Sequence, residues 1–107
     1  MVFLVGHFKS EAFVSENVVE NQANEIALKR LIWHSRRGML ELDCLLLPFA
    51  EEALPSLSAQ DQALYERFLS HEDPDLFAWL MEHQPADDGE LERMVALVLG
   101  HARNRKP

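Results

Sequence analysis

The chain has 107 residues, 48% of them apolar, and a net charge of −8. That length suits one compact domain whose core needs no metal or disulfide staple. The single cysteine, Cys44, excludes an intrachain disulfide and a Cys-rich metal site.

The charge is unevenly spread. Residues 1–38 carry five Lys/Arg against four Glu, residues 39–100 two Arg against fourteen Asp/Glu, and residues 101–107 three more cations. An acidic body of this kind argues against nucleic acid as a partner, because phosphate binding needs a basic face. No unbroken apolar run approaches the ~20 residues of a membrane span, so no transmembrane segment is expected. A reducing, cytoplasmic setting fits the cysteine content.

In chain order, the opening "MVFLVGHF" looks like a weak signal sequence, but no Lys or Arg precedes it and no clear cleavage site follows. The first 25 residues hold four Glu and one Lys, the reverse of a mitochondrial presequence. Residues 1–23 are expected to be a poorly ordered extension, such as an upstream start codon adds; a docked strand or a membrane-facing segment is the alternative. Residues 24–107 are expected to form the folded domain.

Five helical segments follow, with no convincing strand pair. Helix 1 is expected from Asn24 to Arg37, with Leu28, Leu31, Ile32 and Ser35 on one face. Gly38 would end it as a left-handed C′ residue, and Arg36 and Arg37 would sit in its last turn against the dipole. Helix 2 is expected from Met39 to Ala53, with Leu42, Leu45, Leu46, Phe49 and Ala53 inward and a kink or restart at Pro48. Helix 3 should start at an Ser58 N-cap with Asp61 in a capping-box-like position, and bury Leu64, Tyr65, Phe68 and Leu69. Helix 4 should start at an Asp73 N-cap with Pro74 at N1, carry an inward stripe of Leu76, Phe77, Leu80 and Met81, and leave Trp79 to one side. Helix 5 should open on "DDGE", where Asp87 and Glu90 have capping-box spacing, and bury Leu91, Met94, Val95 and Val98. The links are short, so the fold expected is an all-α bundle of five helices.

Little in the chain suggests catalysis. Cys44 lies in an apolar run and reads as a buried structural thiol. The five histidines show no HExxH spacing, and no GxGxxG or P-loop pattern provides a nucleotide cradle. Neither a metal nor a cofactor of its own is expected. The aromatics Phe68, Phe77 and Trp79 read as core. The stretch that ordinary packing does not exhaust is "WHSRRGMLELD", residues 33–43. Capping and dipole effects make Arg36, Arg37, Gly38, Glu41 and Asp43 tolerable there, but they do not require both arginines or choose Glu41. A tight turn at Gly38 would set Arg37 and Glu41 on adjacent turns, offering a fork donor beside a carboxylate. That combination suits recognition of a polar protein surface.

The segment "RLIWHSRRGMLELDCLLLPF", residues 30–49, closely resembles the flavinators, a family of succinate dehydrogenase assembly factors. Their RGxxE hallmark is matched by Arg37, Gly38 and Glu41. Trp33, Pro48–Phe49, "DPDLFAWLMEH" (73–83) and "ELERMV" (90–95) extend the likeness over about residues 25–105.

The resemblance implies a small five-helix bundle that assists covalent attachment of FAD to a histidine of the flavoprotein subunit of succinate dehydrogenase and, in bacteria, of fumarate reductase. It implies that the partner holds the flavin and that the RGxxE surface meets the partner near the flavin site; the chain is expected not to be an enzyme itself and to be a monomer when free. The partner-binding residues expected are Arg36, Arg37, Gly38, Glu41 and Asp43. Two other classes compete: an antitoxin-like regulator of a small toxic or membrane partner, and a small flavin-transferring enzyme. Recovery of a flavoprotein, a toxic protein or tightly bound free FAD would distinguish the three.

Overall fold

A computed structural model describes residues 22–105. The chain divides into two units, Met1–Arg30 and Leu31–Pro107. In the first, residues 22–30 are helical, and this helix (α1) continues to residue 34 in the second. Residues 22 and 23, assigned to the extension from sequence, are thus helical; the rest of that expectation, residues 1–21, falls outside the described residues. The second unit adds α2 (Leu40–Glu52), a short 3-10 turn (Leu54–Ser56), α3 (Ala59–Leu69), α4 (Asp73–Leu80) and α5 (Gly89–Asn104). Among the described residues there are five α-helices and no strand, the all-α architecture expected. None of the described helices is long and apolar enough to cross a membrane.

Helix α2 packs against α4 and α5, and α5 packs against α3 and α4. The α2 stripe is Leu42, Leu46, Phe49 and Ala50 in place of the expected Leu45 and Ala53, which are only half-buried, and the helix runs through Pro48 without the expected kink or restart. Cys44 is exposed, which corrects the buried thiol. It stands two residues from Leu42, about 200° around the helix at ~100° per residue, so the face that buries Leu42 turns Cys44 outward.

Rings stack through the core. Phe49 lies 5.4 Å from Tyr65, Tyr65 6.1 Å from Phe68, Phe68 6.2 Å from Trp79, and Trp79 4.9 Å from His71. Phe49 also meets His101 edge-on. The α4 stripe is therefore Leu76, Trp79 and Leu80. Trp79 is 2% exposed, whereas Phe77 is only half-buried against His83. Both patterns obey helical spacing, and an eight-residue helix cannot choose between them by periodicity.

Local signals set the helix ends, some shifted by a residue. Ser58 accepts a bond from the Asp61 N–H at 3.1 Å, as expected. The α5 cap is Asp88, which accepts from the Leu91 N–H at 2.9 Å, rather than Asp87. The α4 cap is Glu72 rather than Asp73. Helix α4 ends in a Schellman motif: His83 N–H bonds Ala78 C=O at 2.8 Å and Glu82 N–H bonds Trp79 C=O at 3.1 Å. Glu82 takes the left-handed position at φ 62°, where glycine is usual. For that reason no glycine signal marked this turn.

Candidate functional site

The chain between α1 and α2 is short and irregular. Helix α1 stops at residue 34, and its end is tightened by bonds from Ser35 N–H to Ile32 C=O and from Arg36 N–H to Trp33 C=O, both 3.2 Å. Ser35 is fully buried. Its hydroxyl donates to Leu31 C=O at 2.8 Å and lies 2.6 Å from the Tyr65 hydroxyl, so this buried polar side chain finds two partners. Burial pushes the Tyr65 phenol up to about 12, against smaller opposing effects of the Ser35 bond and the Arg37 charge.

Arg36 and Arg37 lie beyond the helix, not in its last turn as expected, and Gly38 sits further along at φ 81°. A left-handed residue is needed, but to turn the loop rather than to close α1. Asp43, in the first turn of α2, reaches back into this loop. Its carboxylate accepts from Arg37 N–H at 2.8 Å and from Gly38 N–H at 3.3 Å. Both oxygens thus hold main-chain donors that the turn would otherwise leave unpaired.

The Arg37 side chain turns inward. Nε donates to Asp73 Oδ1 at 2.7 Å, Nη1 to Leu69 C=O at 3.0 Å and His34 C=O at 3.2 Å, and Nη2 to His71 C=O at 2.9 Å. Four of the five guanidinium N–H donors are used within the molecule. Carbonyls at the ends of α1 and α3, which a helix leaves unpaired, supply two of the bonds. This corrects the expected geometry of a fork donor open beside Glu41: Arg37 is 17% exposed and its fork is occupied. A depression of about 330 Å³ beside it is lined by Leu31, His34, Arg37, Glu66, Leu69 and Ser70.

What stays open is Arg36, Gly38 and Glu41, all exposed, with two large apolar side chains close by in sequence. Trp33 is 72% and Leu40 75% exposed, the two most exposed large apolar side chains among the described residues. The five expected residues thus divide into Arg36, Gly38 and Glu41 facing solvent, and Arg37 and Asp43 holding the loop. Sequence reasoning missed Asp73 as part of this cluster. Its signal was the DPDLF segment, read only as a helix start. Among the described residues no group of three or more His, Cys, Asp or Glu could hold a metal ion.

Residues 29–102 match the family described as flavinator of succinate dehydrogenase. The chain is similar to the FAD assembly factor SdhE of Pseudomonas aeruginosa, 53% identical over 77 residues, covering 72% of this chain and 92% of that relative. It is 57% identical over 72 residues to the SdhE of Pseudomonas putida, covering 67% and 86%. It is 49% identical over 75 residues to that of Shewanella oneidensis, covering 70% and 92%.

Proposed function

The chain belongs to the family of flavinators of succinate dehydrogenase, and we propose that it promotes covalent attachment of FAD to the flavoprotein subunit of that enzyme by binding the immature subunit. The observation that carries this is the family match over residues 29–102, which takes in the whole α1–α2 loop. It favours assembly over the antitoxin-like and flavin-transferring readings. The flavoprotein of fumarate reductase is a second client under this proposal, the free protein is a monomer, and the setting is cytoplasmic.

The chain acts as a binding partner rather than a catalyst. The exposed Arg36 and Glu41 make charged hydrogen bonds to the subunit, and Gly38 lets the two backbones approach closely. Trp33 and Leu40 add apolar contact of the kind that dominates interfaces. Arg37 and Asp43 serve the same surface by holding its shape. Binding can promote bond formation only if it is tighter to the subunit geometry in which the flavin and its histidine meet. FAD stays with the subunit, and the assembly factor departs once the bond has formed.

Glu41→Ala tests the reading. Glu41 lies in the first turn of α2, so its loss costs the fold only ~0.3–1 kcal/mol through the helix dipole. Loss of a buried interfacial charge contact costs ~2–5 kcal/mol of affinity. The expected outcome is a folded variant that binds the immature flavoprotein weakly and leaves it short of covalent flavin. Wild-type affinity together with full flavinylation would remove Glu41 from the surface.

A further inference from the structure

The α1–α2 loop and the start of α4 are 36 residues apart in sequence, yet one guanidinium joins them. Arg37 reaches from the loop to Leu69 at the end of α3, to His71 in the α3–α4 turn, and to Asp73 at the first position of α4. Its acceptors at His34, Leu69 and His71 are main-chain carbonyls. Among the described residues, Asp73 is the one side-chain acceptor of Arg37 and the one that carries charge.

We propose that Asp73 is a positioning residue for the partner-binding loop: its carboxylate locks the Arg37 guanidinium and so holds Arg36, Gly38 and Glu41 in the shape the flavoprotein recognises. This rests on the reading of that loop as the partner surface. The physical case has two parts. Asp73 holds Arg37 Nε through one short bond in which both partners are charged, whereas each carbonyl supplies only a neutral acceptor. The loop is also held from both ends of one residue, since Asp43 grips the Arg37 N–H while Asp73 grips its side chain. Release of the second grip lets the loop sample other shapes, and apparent affinity falls by the fraction that remains competent. Two stretches that carry the family likeness, the RGxxE match and DPDLF, thereby become parts of one device.

The test uses Asp73→Asn in the full chain, with Asp75→Asn as control. Asp75 is the other carboxylate in the first turn of α4, so it shares the dipole interaction but not the bond to Arg37. Two quantities are read. One is hydrogen exchange of the Arg37 Nε–H by NMR in the free protein. The other is affinity for the FAD-free flavoprotein subunit of succinate dehydrogenase, at a temperature where circular dichroism shows every variant folded. Asp73→Asn should speed the exchange and weaken binding about tenfold, as a competent fraction near one tenth requires. Asp75→Asn should do neither, and Asp73→Glu, which keeps the charge, should recover part of both. If Asp73→Asn does not fold, Asp73→Glu decides by the same readouts, with faster exchange and weaker binding than wild type expected. Unchanged Nε–H exchange, wild-type binding despite faster exchange, or an equal loss in Asp75→Asn would each overturn the proposal. Glu41→Ala, measured alongside, separates the two failures. Weak binding there with wild-type binding in Asp73→Asn overturns the positioning role alone, and wild-type binding in both removes the surface as well.

Discussion

Arg37 and Tyr65 show how one side chain can be read two ways until its neighbours are known. An arginine next to a glycine in a loop suggests an open hydrogen-bonding fork, yet the Arg37 fork is occupied by three carbonyls and Asp73. Tyr65 looks like a core aromatic and is one, but its hydroxyl also pairs with the buried Ser35. Because burial disfavours the phenolate, the folded-state pKa is raised from 10.0 to about 12. For a group raised in this way, the stabilisation is fully present below pH 10 and is lost as pH rises through about 12. Tyr65 is the sole tyrosine, so an absorbance titration reports it alone. The folded protein should show no tyrosinate at the pH where an exposed tyrosine is half ionised, and the signal should appear near 12 or together with unfolding. An ordinary titration near pH 10 with the helices intact would contradict the buried Ser35–Tyr65 pair.

Helix ends in this chain are built mostly from neighbours in sequence, so they can be read locally. Ser58 and Asp88 cap α3 and α5 through bonds three residues long. The Schellman turn after α4 is the exception, because Glu82 holds a conformation that its residue type does not announce. Gly38 lies between these cases: its φ of 81° favours glycine, and a Cβ there would meet nothing within 4 Å. Strain, not collision, is therefore the cost of a side chain, ~1–2 kcal/mol. At ~4–8 °C per kcal/mol for a domain of this size, Gly38→Ala should melt roughly 4–16 °C lower. Gly38→Asn should melt above Gly38→Ala, because asparagine tolerates the left-handed region better. Equal melting temperatures for the two would show that Gly38 acts through something other than backbone conformation. If the loop is the partner surface proposed above, Gly38→Ala should also lose more affinity for the flavoprotein than its stability loss explains.

At the scale of the whole molecule, ion pairs tie the acidic body together across its helices. Arg105 bridges to Glu52 through both carboxylate oxygens at 2.9 and 2.8 Å, which joins the end of α5 to α2. Arg93 holds Asp61 at 2.8 Å, and Arg67 pairs with Asp88. The Arg105 bond lowers the Glu52 pKa, the Arg93 bond lowers Asp61, and the Leu91 N–H followed by Arg67 lowers Asp88. A depressed carboxylate contributes stability that is present above its unfolded value and lost as pH falls through its folded one. The unfolded values are 4.5 for Glu52 and 3.8 for the aspartates. Urea midpoints should therefore hold steady well above these unfolded values and fall as pH drops below them. Asp88→Asn should flatten part of that slope. A midpoint that does not change over the same range would show that these pairs add nothing to the fold.

By itself the sequence determined the all-α class, the number of helices, the starts of α2 to α5 to within a residue, and the α3 and α5 stripes. Each of these follows from residues within a few positions of one another: Ser58 with Asp61, or Leu91, Met94, Val95 and Val98 on one face. It also marked residues 33–43 as more than packing, because Arg36, Arg37 and Glu41 exceeded what a cap and a dipole need. Tertiary structure alone decided which of them face outward. Arg37 is taken up by Asp73 and the α3–α4 carbonyls, 32 to 36 residues away, leaving Arg36, Gly38 and Glu41 exposed. It likewise chose Trp79 over Phe77 for the core and turned Cys44 to solvent. Helical period says that two residues share a face, but only the element packed against that face says whether it is buried.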